Sequence, residues 1–181
     1  MKRKLTTGLV FLFVAGLFSQ AYALDGYRDR KGLFTGLYLG GASAKADFAG
    51  AKSHIGYVLG GKIGGGVNQN LTLDGSLTMR LESYDEGTVA VSTRTTTMYL
   101  GINYFVKDGL YVRGMGGIAQ ASSDAGGEEN SETGLGLGAG LGYEFFASAQ
   151  LAVGVGGDYQ MQQFEDTTVS VINFGISANW Y

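Results

Sequence analysis

The sequence of 181 residues contains no cysteine and no proline, and it has a single histidine. Without cysteine there is no disulfide framework, no thiolate metal ligand and no cysteine nucleophile. Charged residues are also scarce, at 16% against roughly a quarter in an average soluble domain. Hydrophobic residues make up 45%, which excludes a disordered chain, and the 32 glycines without any proline exclude a collagen.

The N-terminus predicts a signal peptide for export, cleaved after residue 23. Residues 2–4 are basic, residues 8–18 form an apolar run, and residues 21–23 supply a small-x-small cleavage pattern. The apolar run is too short to cross a bilayer of about 30 Å as a helix, so an uncleaved membrane anchor is the weaker interpretation. Residues 24–32 are then expected to be a short periplasmic segment.

The charge balance argues against nucleic acid as a partner. The whole chain has 13 Lys and Arg against 16 Asp and Glu. Removal of the signal peptide takes away three basic residues and no acidic ones, so the mature chain is more acidic still. Nucleic-acid-binding domains show the opposite, a basic patch or stripe.

Beyond the signal peptide, apolar residues recur at every second position. Over residues 70–83, leucine and methionine alternate with threonine, aspartate, serine and arginine. A period of two describes a strand with two unlike faces, whereas a helix would scatter these residues around its axis. The same pattern predicts eight strands, beginning near Leu33, Ile55, Asn70, Thr97, Leu110, Gly134, Leu151 and Ile172.

The connections between these strands alternate between tight turns and longer polar stretches. The longer stretches fall near residues 44–54, 83–93, 121–133 and 163–168. This alternation is typical of an up-and-down barrel. The predicted fold class is therefore all-β, an eight-stranded antiparallel up-and-down transmembrane β-barrel over residues 33–181, with both termini on the periplasmic side.

The contents of the two faces indicate which of them meets lipid. Over residues 134–145, glycine alternates with leucine, alanine and aromatic residues. An outer surface of glycine would solvate poorly, whereas inside an eight-stranded barrel small residues leave room for longer side chains. The apolar face then lies against the bilayer, which strands of about 9–11 residues can cross. A soluble lipocalin-like barrel is the alternative, and it would need an apolar interior.

The polar face carries charges of both signs. Because an unpaired charge in such an interior is costly, we expect these residues to form an ion-paired network that closes the barrel. A narrow pore is the alternative. The predicted members are Lys62, Asp74, Arg80, Glu82, Arg113, Glu144 and Asp158.

The last strand resembles the C-terminal assembly signal of the small eight-stranded outer-membrane barrels, the family of the OmpA transmembrane domain and OmpX. Asn173 is the polar residue of that signal, Gly175 follows two residues later, and Ala178 and Trp180 complete the spacing. Trp180 replaces the usual final phenylalanine, and Tyr181 is one residue extra. The resemblance implies recognition of this strand by the barrel-assembly machinery.

Other segments extend the resemblance over roughly residues 30–181. Residues 33–36 resemble the first strand of the family, and Arg113 and Glu144 resemble members of its interior network. Gly156 stands where the OmpA domain has a further interior arginine, so that ion-pair scheme cannot be copied whole. The resemblance implies a monomer in a Gram-negative outer membrane, in contact with its lipid and lipopolysaccharide.

An enzyme is the alternative from another functional class. Some eight-stranded outer-membrane barrels are lipid A acyltransferases or deacylases that use histidine and serine with a carboxylate. Ser53 is a poor partner for His54, because adjacent residues on a strand point to opposite faces. A hydroxyl and an acid from elsewhere would be needed. The candidates are Ser92, Thr93, Glu82 and Asp85.

No sequence spacing demands that arrangement, so we predict no catalytic residue, no cofactor and no metal site. The glycine-rich stretch over residues 56–63 lacks the Ser or Thr and the helix of a phosphate-binding loop. The acidic stretches in the longer connections lack the spacing of an EF-hand. The predicted function is therefore structural or one of interaction at the cell surface.

Overall fold

A computed structural model describes residues 29–48, 50–86, 89–107, 109–125 and 128–181. The predicted signal peptide over residues 1–23 lies outside the described residues. Eight strands follow in chain order: β1 Gly32–Ala46, β2 His54–Gly66, β3 Leu71–Glu86, β4 Val89–Lys107, β5 Leu110–Ala125, β6 Glu128–Phe146, β7 Leu151–Gln163 and β8 Thr168–Trp180.

The strands form a closed barrel in sequence order. Each strand pairs antiparallel with the next, and β8 closes the sheet by pairing with β1. The predicted up-and-down topology is confirmed. Within the described part of the chain, no helix is long and apolar enough to cross a membrane. We call the end of the barrel that holds the tight turns, the start of β1 and the end of β8 the periplasmic end, and we call the other the extracellular end.

Two connections differ from the prediction. Residues 83–93 and 121–133 were expected to be long polar loops, but the structure continues the strands almost to the tips of the β3–β4 and β5–β6 hairpins. Pairing persists at Ser83 with Ser92 and at Ser122 with Ser131. The alternation of apolar and polar residues stops there because neither face meets lipid, whereas the backbone ladder needs no such alternation.

The barrel has apolar side chains on its outside and polar side chains in its interior, the reverse of a soluble protein. Leu100 and Leu137 point outward and are 76% and 71% exposed, and most outward side chains along the middle of the strands are apolar. Tyr99 and Gln162 point inward and are 2% and 0% exposed. An apolar surface that surrounds the whole molecule requires an apolar solvent, and a closed barrel satisfies every backbone group within one.

The inward glycines of β6 make room for aromatic side chains from another strand. A Cβ atom at Gly136 would overlap the ring and hydroxyl of Tyr99, and one at Gly142 would lie 2.5 Å from the Tyr111 hydroxyl oxygen. Tyr99 comes from β4 and Tyr111 from β5. The glycine run therefore sets how far these side chains reach across the barrel.

We expect arginine at Leu137 to destabilise the folded barrel by about 2–4 kcal/mol, the cost of a cation on the lipid face near the midplane. The matched control is Thr133→Arg, which lies on the same strand and the same outward face but above the apolar residues. It should cost about 0–1 kcal/mol. The measurement is urea unfolding in lipid vesicles, followed by the fluorescence of the single tryptophan, Trp180. Equal costs at both positions would contradict the assigned lipid-facing band.

Candidate functional site

The periplasmic end of the interior is organised around Glu144, whose side chain is 3% exposed. Arg30 forms an ion pair with it, with 3.0 Å between Nε and Oε1. Asn179 donates to Oε2 at 2.5 Å, and the Tyr181 hydroxyl donates to Oε1 at 3.1 Å. We call these four residues the periplasmic cluster. They join the segment before β1, strand β6 and the C-terminus.

Aromatic rings surround this cluster. The Arg30 guanidinium lies 3.9 Å from the centroid of the Phe105 ring and 5.2 Å from that of Phe146. The Tyr181 ring packs against Phe34, with 5.1 Å between centroids, and against Phe146 at 5.6 Å. Cation–π attraction and the ion pair thus act on the same guanidinium, in a site from which most water is excluded.

Sequence reasoning missed Arg30 and Tyr181 as interior residues. Arg30 falls in the segment that was expected only to precede the barrel, and Tyr181 was taken as one residue beyond the last strand. One signal was available. The seven predicted interior charges comprise three basic and four acidic residues, and this imbalance indicates a missing cation, which Arg30 supplies.

The second layer is built on Asp74, whose side chain is 0% exposed. Arg113 pairs with it at 2.6 Å between Nη2 and Oδ1, and Asn103 donates to Oδ2 at 2.7 Å. Gly101 on β4 lies between Asp74 and Arg113, and a Cβ atom there would come within 2.7 Å of the guanidinium. Glycine at this position therefore lets an ion pair cross from β5 to β3.

A cavity lies above this layer, and two of the predicted network residues line it without an ion pair. It leaves about 70 Å³ that the centre of a water molecule can occupy, enough for several waters. Among the described residues Lys62 has no ion-pair partner, and its Nζ lies 5.6 Å from the centroid of the Phe34 ring. Asp158 accepts hydrogen bonds from the amides of Gln160 at 2.7 Å and Asn173 at 2.9 Å.

The third layer lies toward the extracellular end. Arg80 and Glu82 approach to 3.0 Å between Nε and Oε1, although the two atoms are not aligned for a hydrogen bond. The guanidinium donates instead to Thr95 at 3.1 Å and to Gln162 at 3.4 Å. An apolar cluster adjoins this layer on β1, β2 and β8, and its member Val58 pairs in register with Arg80. The cluster consists of Ala42, Ala44, Val58 and Val171.

Strands β3–β6 continue beyond the barrel as a four-stranded extracellular sheet. Pairing of β2 with β3 ends at Gly56 and Glu82, and pairing of β6 with β7 ends at Leu135 and Gln163. The strands inside this sheet remain paired much further, up to Val91 on β4. Residues 83–86 and 128–134 therefore pair on one side only, and they form two free strand edges.

The outward face of the extracellular sheet is rich in hydroxyl groups. Ser122 and Gln120 both donate to the Ser131 hydroxyl, each at 3.3 Å. The hydroxyls of Ser83 and Ser92 lie 3.5 Å apart on the neighbouring hairpin. Apolar side chains end below this level, so the face is built to contact water or polar ligands rather than lipid.

Comparison with known proteins agrees with this architecture. The model of the outer membrane protein beta-barrel domain family matches residues 9–180. The chain belongs to this family. A search of curated proteins found no match.

Solved structures of other outer-membrane barrels share the fold. The attachment invasion locus protein Ail of Yersinia pestis is 16% identical with a TM-score of 0.57, over 83% of this chain and 99% of that one. Neisserial surface protein A is 15% identical with a TM-score of 0.60, over 83% and 99%. The N-terminal barrel of Pseudomonas aeruginosa OprF is 16% identical with a TM-score of 0.50, over 83% and 98%.

As a member of the outer-membrane barrel family, the chain closes its sheet with the predicted C-terminal segment. Asn173 points inward and donates to Asp158, and Gly175 allows β8 to approach the backbone of β1 closely. Ala178 and Trp180 lie on the outward face, and Trp180 pairs with residues of both neighbouring strands, β1 and β7.

His54 was the candidate base of a lipid A enzyme, and it lies at the start of β2. Its ring stacks on Tyr84, with 3.6 Å between centroids. Ser92 is exposed on the outward face, Ser53 is exposed before β2 begins, and Thr93 pairs in register with Glu82. Within the described ranges no hydroxyl hydrogen-bonds His54, and no three acidic or histidine side chains are grouped to hold a metal ion. The Asp85 side chain lies outside what the structure describes.

Proposed function

We propose that this outer-membrane barrel presents its extracellular sheet to an extended polypeptide segment of a partner at the cell surface. The observation that carries the proposal is the free edge of β6 at residues 128–134, which pairs with β5 alone. Unpaired N–H and C=O groups along an edge are a template for an added strand. Closure pairs the strands on both sides along the barrel wall, whereas the extracellular sheet leaves two edges unpaired.

The charge of this edge specifies the kind of segment it would accept. The edge sequence contains Glu128, Glu129 and Glu132 and no basic residue, and the β3 edge contains Asp85 and Glu86. Complementary charge raises the rate of encounter and selects among partners. A basic, extended segment fits both the backbone template and the charge.

Basic residues on the outward face offer a contact for lipopolysaccharide, the lipid partner that the family resemblance implies. Lys45 and Arg94 point outward and are exposed just above the apolar residues, Lys45 on β1 and Arg94 on β4. Cations at that level would meet the phosphate groups of lipopolysaccharide, and guanidinium binds phosphate especially well. We propose further that the protein is a monomer and that the barrel-assembly machinery recognises its β8 strand. We propose no catalytic activity for it.

The test uses a synthetic peptide of alternating lysine and valine, added to the folded barrel in bilayer nanodiscs. We expect it to bind and to slow amide hydrogen exchange at residues 128–134, because strand addition covers those backbone groups. Glu132→Lys should weaken binding by about tenfold, since it replaces an attraction by a repulsion of similar size, together worth about 1.4 kcal/mol.

The matched control is Asp47→Lys, an exposed acid where the end of β1 meets the start of β8, two strands away from β3 and from β6. It should leave the affinity nearly unchanged. Binding that is equally sensitive to both substitutions would indicate attraction by net charge alone and would contradict strand addition. The absence of protection at residues 128–134 in the bound state would do the same.

A further inference from the structure

The segment that precedes β1 enters the barrel mouth instead of leading away from it. Gly32 has a φ of 90°, a left-handed conformation that glycine adopts without strain. This bend turns the chain across the periplasmic end, so that Arg30 is 7% exposed although it lies outside every strand.

Side chains hold the segment against the β2–β3 turn. Arg30 donates its backbone N–H to Oε1 of Gln69 at 3.3 Å, and Gln69 donates to Oδ1 of Asp29 at 2.6 Å. The same Asp29 oxygen accepts the backbone N–H of Lys31 at 2.8 Å. Gly66 is needed beneath this segment, because a Cβ atom there would overlap the Arg30 carbonyl group.

The Arg30 side chain then reaches the centre of the mouth. Its guanidinium lies between Glu144 on β6 and the rings of Phe105 and Phe146, as described above. These contacts are between side chains, and no ladder of backbone hydrogen bonds joins residues 29–31 to a strand. Segments held in this way open at much lower free energy than the strands around them.

We propose that residues 29–31 form a latch, in which the Arg30 side chain closes the periplasmic mouth and its withdrawal opens the central cavity to the periplasm. The cavity carries Lys62 and Asp158 without an ion pair, so opening exposes one fixed charge of each sign to water and small ions. The latch lies at the opposite end from the extracellular sheet, and it does not depend on the function proposed for that sheet.

The absence of native cysteine allows a direct test. Ser177 lines the cavity two residues from Asn179 on the same face of β8, so Ser177→Cys places one thiol just inside the latch. The measurement is the labelling rate of that thiol by a small, charged methanethiosulfonate reagent, with the folded full chain in lipid vesicles. Electrophoretic heat-modifiability shows that each variant is folded.

We expect Arg30→Ala to raise the labelling rate by about tenfold or more, because the ion pair and the cation–π contact no longer oppose opening. Asp29→Ala keeps Arg30 but removes the anchor, and it should raise the rate by a smaller factor. Lys31→Ala, which alters an exposed neighbour, should leave the rate unchanged.

If Arg30→Ala does not fold, the labelling rate of the Asp29→Ala variant is compared with that of the parent instead. Equal labelling rates in the parent, the Asp29 variant and the Arg30 variant would overturn the latch, whether those rates are high or low. A high common rate would show that the mouth is open with Arg30 in place. A low common rate would show that other residues keep the cavity closed without Arg30, either the rest of the periplasmic cluster or the Asp74–Arg113 layer above it.

Discussion

Replacement of Glu144 by glutamine should destabilise the barrel by about 3–5 kcal/mol, the usual cost of removing one partner from a fully buried ion pair. Both partners are almost inaccessible, with side-chain exposures of 8% for Arg30 and 3% for Glu144. Glutamine keeps one acceptor oxygen, but its amide NH2 would face a hydrogen-bond donor, because both carboxylate oxygens accept here. The loss therefore combines the negative charge with one hydrogen bond. The guanidinium would remain among aromatic rings without a counter-charge.

The measurement is the free energy of unfolding by urea in lipid vesicles. Glu165→Gln is the matched control, because it makes the same chemical change at an exposed acid, and it should change stability by less than about 0.5 kcal/mol. A loss at Glu144 no larger than that of the control would contradict the buried pair. It would mean that Arg30 reaches water when its partner is neutral.

Replacement of Asp74 by asparagine should cost about 3 kcal/mol, toward the lower end of the range for buried pairs. Asp74 itself is fully buried, but Arg113 is 18% exposed and lines the central cavity, which has room for water. Water can therefore compensate part of the charge left on Arg113. The loss should be smaller than at Glu144 for this reason.

Asp158→Asn is the control for this second substitution. Asp158 accepts its hydrogen bonds from two side-chain amides and has no ion-pair partner among the described residues, so the change leaves no cation without a partner. It should cost about 1 kcal/mol, the ordinary value of a hydrogen bond. Equal losses for Asp74→Asn and Asp158→Asn would contradict the assignment of Arg113 to Asp74. A double-mutant cycle with Arg113→Gln measures the pair directly.

The comparison of these two aspartates shows how far sequence reasoning reaches into the interior. Both lie on the inward face of their strands, as alternation predicts. Alternation does not indicate that only Asp74 meets an arginine. That contact depends on the pairing register of β3, β4 and β5, and on a glycine at position 101 that leaves space between the two side chains.

The hairpin strands show the same limit outside the membrane. Apolar and polar residues alternate along a strand only where its two faces meet different surroundings. The pattern therefore predicts strands well where one face meets lipid and the other faces the polar interior. The ends of β3–β6 have polar surroundings on both faces, and the sequence there resembles a loop. The free edge of the extracellular sheet could not be inferred, because it arises from the different lengths of β6 and β7.

The sequence by itself determined the number of strands, their order, the closed antiparallel topology and the face of each strand that meets lipid. The strands and their faces follow from a period of two, because the side chains of a strand alternate by covalent geometry. Their order and closure follow from the alternation of tight turns and longer connections. Only the tertiary structure decided which interior charges pair, and that Arg30 and Tyr181 contact Glu144 at the periplasmic end. These contacts join residues from just before β1 and just after β8 to β6. They depend on strand register, on the tilt of the closed barrel and on the bend at Gly32, none of which leaves a local pattern in the sequence.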